Sequence, residues 1–150
     1  MAASRSLRRL LEVLRIQEEQ ARRAAAEATA ETQRLRTGLD QARARECAGR
    51  RLVTAGAHSG SAVDRVAGLE EVRIARRVEA MLSPRVAWAE GEEQQRRQQY
   101  LARRTERRQA ETLLEATERN AVREESRRAQ QLSDELHLDR RARDLERSEG

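Results

Sequence analysis

Few side chains in this sequence could do covalent or metal chemistry. Histidine occurs at positions 58 and 137 alone, and the single cysteine is Cys47. Metal sites and nucleophilic active sites need several such groups close together, and neither histidine has a partner at ligand spacing. The chain contains no lysine, so it cannot form the glycine-rich phosphate-binding loop that ends in a lysine. We therefore predict a protein that is not an enzyme and has no catalytic residue, cofactor or metal.

The cysteine has two possible roles. Cys47 lies between Glu46 and Gly49, next to the predicted helix interface described below. The sequence favours a small, inert residue at this position, and a reactive thiol is the alternative. A single cysteine cannot form an internal disulfide, which fits a reducing compartment.

Arginine is the more distinctive feature, with 31 residues and a formal net charge of +5. Residues 1–56 hold 12 arginines against 7 acidic residues, whereas residues 83–150 hold 15 of each. The densest group, here called the basic cluster, consists of Arg43, Arg45, Arg50 and Arg51. Guanidinium groups bind carboxylates and phosphates through paired hydrogen bonds. The basic cluster is therefore a candidate contact for an acidic protein or a lipid surface.

Nucleic acid is a further possible partner for the basic cluster, because arginine also binds backbone phosphates. A basic-leucine-zipper protein, however, has leucine heptads directly after its basic segment. Here the segment is followed by Gly56-Ala-His-Ser-Gly-Ser61, a strong helix break. Aromatic platforms for stacking bases are also scarce, so we expect no nucleic acid.

Trp88 and Tyr100 are the aromatic residues of the chain. They could anchor a helical hairpin beside Pro84. Alternatively, they could be exposed contacts for a partner protein, because tryptophan and tyrosine are enriched at interaction hot spots. Both residues are therefore candidate partner contacts.

A long first helix must position most of these groups. Residues spaced alternately by three and four form one narrow stripe on a helix, which is the seam of a coiled coil. Glu18, Thr32 and Glu46 interrupt this stripe with polar side chains. The apolar seam positions are Leu7, Leu11, Leu14, Ala21, Ala25, Ala28, Leu35, Leu39 and Ala42.

Composition supports long helices throughout. Ala, Arg, Glu and Leu make up 93 of the 150 residues, whereas Leu, Val and Ile total 26. Such a chain is typical of coiled coils and has too few large apolar residues for an ordinary globular core. Acidic residues precede an arginine by four positions at 18–22, 19–23, 46–50, 92–96, 93–97, 115–119, 124–128 and 139–143, and each such pair adds about 0.2–0.5 kcal/mol.

Breaks in the pattern divide the chain into three predicted helices, at about 6–55, 62–82 and 84–147. Ser61 is placed to cap the second helix, with Asp64 three residues later. Ser83-Pro84 is predicted to separate the second helix from the third, because proline disfavours helical geometry in the residue before it. We thus predict an all-α protein. It is a long antiparallel two-helix coiled-coil hairpin with a short helix near the turn, forming one domain over residues 1–150.

Two stretches resemble a known family. Residues 7–24 read LRRLLEVLRIQEEQARRA, and residues 127–141 read RRAQQLSDELHLDRR. The first resembles the leucine-rich and then Glu- and Ala-rich opening of the FliJ family of flagellar export proteins. The second is similar to the basic segment and Asp-Glu pair near that family's C-terminus. The similarity covers residues 7–39 and 119–145. A related stalk protein of an injectisome-type secretion system is an alternative that these residues also fit.

The resemblance implies a component of the bacterial flagellar type III protein export apparatus, needed for flagellum assembly and motility. Members of the family form a coiled coil similar to the stalk of rotary ATPases. The implied partners are the hexameric flagellar export ATPase, the membrane export-gate protein and export chaperones. No residue-specific contacts carry over. The sequence also lacks a signal peptide and a run of about 20 apolar residues, so we expect a cytoplasmic protein, peripheral at the membrane face. A general coiled-coil adaptor is the alternative.

Overall fold

A computed structural model describes residues 2–148, with side chains from residue 4 onward. Helix α1 spans Ala2–Ser59 and helix α2 spans Ala62–Ser148. The described residues contain no strand, and the two helices pack against each other. The prediction of an all-α protein built on two packed helices is confirmed.

The connection between the helices is two residues long. Gly60 has a φ of 74°, in the left-handed region where an L side chain is strained, and this ends α1. The backbone amide of Asp64 donates a hydrogen bond to Ser61 Oγ at 3.2 Å, which confirms Ser61 as the N-cap of α2. The link is shorter than predicted, because α1 continues through Gly56 to Ser59.

The predicted helix boundary at Ser83-Pro84 is wrong. Helix α2 runs continuously through Pro84, so no separate short helix at 62–82 exists near the turn. A proline inside a helix costs roughly 3 kcal/mol, because it removes one backbone hydrogen bond and crowds the preceding turn. Pro84 itself is exposed, whereas Ala75 before it and Val86 after it are buried. Packing of these two residues offsets the cost of the proline, and a prediction from the local sequence does not include that packing.

The tertiary contacts fall into two compact units. We call residues 17–104 the turn unit, and residues 2–16 with 105–148 the terminal unit. In the turn unit, Arg36 pairs with Glu90 and Arg43 with Glu79, so the helices are antiparallel. In the terminal unit, the antiparallel order is shown by the pairs 8–118 and 15–111.

The interior of the turn unit is narrow and built mostly from small residues. Buried apolar positions are Leu39, Ala42, Ala75, Val86 and Ala89. The largest side chain with no exposure at all is Thr32, whose hydroxyl donates to the Ala28 carbonyl at 3.0 Å. That bond satisfies the buried polar atom within α1 itself, so the polar interruption needs no partner from α2.

Glycines bring the two backbones together near the turn. A Cβ on Gly68 would lie 2.6 Å from the carbonyl oxygen of Gly49 and 2.8 Å from the amide nitrogen of Val53. A Cβ on Gly56 would lie 2.8 Å from the amide nitrogen of Arg65. These contacts leave no room for any other residue type. Gly56 also lies inside α1, although the sequence pattern treats it as a break.

The terminal unit has less interior. Leu11 and Ala110 are its buried apolar residues among those described. From Arg119 to Ser148 every residue of α2 is exposed, including Val122, Leu132 and Leu136. Helix α1 therefore covers the first part of this α2 segment and leaves about thirty residues uncovered.

Candidate interaction surfaces

The predicted seam of α1 lies on its inner side. Leu11, Leu39 and Ala42 are buried. The other apolar seam positions are half-buried, namely Leu7, Leu14, Ala21, Ala25, Ala28 and Leu35. The seam is therefore occupied by structural contacts within the chain and is not a free surface.

Glu46 is a polar seam position whose carboxylate is bound by two arginines. Its side chain is 14% exposed and accepts hydrogen bonds from Arg50 Nη2 at 2.6 Å and from Arg76 Nε at 3.0 Å. The hydrogen bond from Arg76 is the main cause that lowers the pKa of Glu46 below its ordinary value. Glu46 thus stays ionised and joins α1 to α2 at a position where a leucine would otherwise pack.

Arginines recur at every seventh residue of α1, directly beside the seam. The series is Arg8, Arg15, Arg22, Thr29, Arg36, Arg43 and Arg50, and we call it the arginine row. Positions that flank a coiled-coil seam commonly pair with the facing helix and set its orientation. This row is not among the sequence-based predictions above, although it is visible when arginines are counted at heptad spacing.

In the terminal unit the arginine row binds carboxylates of α2. Arg8 Nη2 lies 2.7 Å from Glu118 Oε1, and Arg15 Nη2 lies 3.2 Å from Glu111 Oε1. Arg107 of α2 approaches the same Glu111 at 2.6 Å. The hydrogen bond from Arg15, and then that from Arg107, lower the pKa of Glu111.

The row continues in the turn unit. Arg36 Nη2 lies 2.7 Å from Glu90 Oε1, and this hydrogen bond raises the pKa of the Arg36 guanidinium. Arg43 Nε lies 3.1 Å from Glu79 Oε1. Thr29, which replaces an arginine in the row, donates its hydroxyl to Glu93 at 3.0 Å. The partner positions decrease from 93 to 90 to 79 as the row advances from 29 to 36 to 43, so these contacts join antiparallel helices.

Arg22 departs from the row's pattern. It pairs with Glu19 of its own helix at 2.9 Å, and Arg23 binds the same carboxylate at 3.0 Å. The two hydrogen bonds lower the pKa of Glu19 to about 2. The predicted pair at 19–23 is thereby confirmed, as are those at 46–50, 92–96 and 124–128.

The basic cluster is mostly engaged inside the hairpin. Arg43 binds Glu79, Arg50 binds Glu46, and Arg45 binds Glu71 through both nitrogens of its fork. The hydrogen bond from Arg45 lowers the pKa of Glu71. Arg51 is exposed and has no ion-pair partner among the described residues. Arg43 and Arg45 therefore join α1 to α2, and Arg50 pairs within α1. Arg51 is the member of the cluster whose charge has no carboxylate partner among the described residues.

The two aromatic residues lie in different environments. Tyr100 is half-buried, whereas Trp88 is 69% exposed. The idea that Trp88 anchors the hairpin beside Pro84 is thus wrong. Trp88 instead borders a surface depression of about 280 Å³, whose walls include Ala28, Glu31 and Glu92.

Trp88 belongs to a larger apolar surface on α2. Val63, Val66, Leu69 and Met81 are also exposed, whereas the buried apolar residues of the same part of α2 are Ala75, Val86 and Ala89. We call these residues, with Trp88, the outer α2 face. Scattered apolar residues are ordinary on surfaces, but several on one helix side are typical of a partner contact.

The side chains that could do chemistry are not brought together. Cys47 is a free, exposed thiol, and both histidines are exposed, His58 in the last turn of α1 and His137 in α2. No group of three metal-binding side chains occurs within the described part of the chain. Neither helix, over its described length, is long and apolar enough to cross a membrane.

Comparison with protein-family models, with curated proteins and with solved structures finds no match for this chain. The resemblance to the FliJ family therefore rests on the residues of the two stretches quoted above.

Proposed function

We propose that this protein is a non-enzymatic, stalk-like component of the flagellar type III export apparatus. In this role it links the hexameric export ATPase to the membrane export gate and assists export chaperones. It acts at the cytoplasmic face of the membrane through contacts with other proteins of the apparatus.

One observation carries the proposal: in each of the two units, members of the arginine row join antiparallel segments of α1 and α2. Arg8, Arg15, Arg36 and Arg43 each bind a carboxylate of the facing helix. A helix pair fixed in one register resists sliding, and a stalk that transmits contact between two partners needs that property. Exposed pairs are individually weak, so the effect depends on their repetition.

The residues at both ends of the chain add support. The family-like stretches, 7–39 and 119–145, supply seam leucines of α1 and the exposed segment of α2. A stalk protein needs helical surface left free for partners, and that segment of α2 offers it.

The direct test is binding of the purified full chain to the flagellar export ATPase of the same organism. We expect a stable complex by size-exclusion chromatography and loss of swimming motility when the gene is deleted. Absence of binding at high micromolar concentration, together with normal motility of the deletion strain, would refute the proposal.

Variants locate the contact. Trp88→Ala is expected to weaken ATPase or gate binding by about tenfold or more, since exposed tryptophans at an interface centre often contribute over about 2 kcal/mol. Leu113→Ala is the matched control, because Leu113 is also exposed at 58% but lies in the terminal unit. Equal losses for both variants would show that the outer α2 face has no special role.

A general coiled-coil adaptor is the second candidate, favoured by the outer α2 face. Such a face fits the groove of any helical partner and needs no export machinery. The two proposals separate in one measurement. An adaptor should co-purify with a partner from cells in which the export ATPase gene is deleted, whereas a stalk should lose its main partner there.

A further inference from the structure

The α2 face that packs on α1 in the terminal unit continues past the N-terminal end of α1. Glu118 is half-buried where it binds Arg8. Steps of four and three residues from Glu118 lead to Val122, Glu125 and Ala129 on the same side of the helix. The stripe then continues through Leu132, Leu136, Asp139 and Arg143, and we call the whole set, from Val122 to Arg143, the tail stripe.

Nothing among the described residues covers the tail stripe. Val122 is 62% exposed, Leu132 61% and Leu136 60%. Val122 lies in the depression at the start of α1, beside Ser4 and Arg8, so the uncovered face joins directly to the covered one. A stripe that continues at coiled-coil spacing without a facing helix contributes to stability only when another helix packs on it.

We propose that a second copy of this chain covers the tail stripe, in antiparallel orientation. The two-fold axis passes midway between Leu132 and Leu136. Each Leu132 then packs against the partner's Leu136, and each Leu136 against the partner's Leu132. This puts the two largest apolar residues of the stripe at the centre of the contact.

Charge complementarity selects this partner and orientation. In this register Glu125 of one copy faces Arg143 of the other, and the symmetry repeats the pair on the opposite side. Both symmetry copies of this pair join opposite charges, and such complementarity fixes the register and orientation of a contact.

A parallel arrangement of the two copies is disfavoured by the charged residues of the tail stripe. Each residue would then face its own equivalent, so that Glu125 would meet Glu125 and Asp139 would meet Asp139. Like charges placed face to face at a protein contact are strongly unfavourable. The stripe therefore distinguishes the two orientations, although its leucines alone would allow either.

The test is the mass of the full chain in solution, followed by sedimentation equilibrium from low to high micromolar concentration. We expect a concentration-dependent monomer–dimer equilibrium. Leu132→Asp combined with Leu136→Asp should raise the dissociation constant by about 100-fold or more, since it buries unpaired charges at the centre. Leu138→Asp is the matched control, because Leu138 is equally exposed at 66% but lies on the other side of α2.

Charge reversal tests the orientation. Arg143→Glu should weaken the dimer by about tenfold, because Glu125 of the partner then faces a carboxylate. The double variant Glu125→Arg with Arg143→Glu should restore the wild-type constant. Helicity measured by circular dichroism should stay unchanged in all variants, so that an altered constant reports the contact and not unfolding.

Several results would overturn the proposal. These are a monomer at every concentration, a dimer insensitive to the two leucine substitutions, or one lost equally in Leu138→Asp. A dimer that the double charge variant fails to restore would rule out the antiparallel register. The inference does not depend on the proposed export function, since self-association is measured without any partner.

Discussion

The turn unit and the terminal unit differ in how much of their helix faces they bury. In the turn unit both helices face each other closely, and Gly49 and Gly68 bring the backbones into contact. In the terminal unit α1 reaches only the start of the α2 segment, and residues beyond Glu118 are exposed. A heptad stripe thus shows that a helix face needs a partner. Which part of the stripe is covered by the described residues is visible only in the tertiary structure.

The largest expected effect comes from charges placed in the two interiors. Leu39→Asp in the turn unit and Leu11→Asp in the terminal unit each bury an unpaired carboxylate at positions that are 7% and 6% exposed. We expect a loss of about 3–5 kcal/mol at each site. Leu39→Asp should lower the melting temperature of the whole chain, whereas Leu11→Asp should release residues 2–16 first.

Hydrogen exchange followed by mass spectrometry distinguishes the two outcomes, because it reports protection segment by segment. If Leu11→Asp deprotected the turn unit as strongly as its own unit, the two units would not be separate in stability. Unchanged helicity and melting for both variants would show that the seam is assigned incorrectly.

The glycine contact gives the next effect. Gly68→Leu should destabilise the protein by about 2–3 kcal/mol, because its Cβ would collide with the Gly49 carbonyl and force the helices apart. Chemical denaturation followed by circular dichroism measures this loss. Gly91→Ala is the control of opposite sign, since a Cβ there meets nothing within 4 Å. It should stabilise the helix by about 0.5–1 kcal/mol, and equal effects of both substitutions would contradict the close approach.

A smaller effect on stability is expected from a single ion pair of the arginine row. Reversing Arg36 to Glu and Glu90 to Arg, singly and together, forms a double-mutant cycle across the pair at 2.7 Å. We expect a coupling energy of about 0.2–1 kcal/mol that decreases with salt, because both side chains are about half exposed. No coupling at low ionic strength would mean that the row does not help to fix the register.

The smallest effect is the pH dependence. The folded-state pKa values of Glu19, Glu46, Glu71 and Glu111 are all lowered by arginine hydrogen bonds, to about 2 for Glu19. Their contribution to stability is therefore complete above the ordinary value of 4.5 and is lost as the pH falls through the lowered values. Thermal melts between pH 6 and pH 2 should show this loss.

Three of the four glutamates belong to the turn unit, so the loss should be larger there than in the terminal unit. High salt should reduce the difference, because exposed pairs are screened. A melting temperature that rises on acidification would be inconsistent with these pairs.

Part of the interaction surface could be predicted and part could not. The inward seam of α1 follows from spacing alone, and the arginine row is visible at heptad intervals once it is looked for. The role of Arg43 and Arg45 could not be predicted from α1, since the carboxylates that bind them, Glu79 and Glu71, lie on the other helix. A cluster of like charges in the sequence therefore need not be a free surface.

The sequence by itself determined the helices and the seam of α1, because helix propensity and a 3.5-residue period act between near neighbours. It also placed the cap at Ser61, which depends on local backbone geometry, but it ended the first helix near Gly56, whereas α1 continues to Ser59. Only the tertiary structure decided that α2 passes through Pro84, that Gly56 remains inside α1, and that Trp88 is exposed. These outcomes depend on contacts between residues distant in sequence, whose energies outweigh the local preference of any single residue.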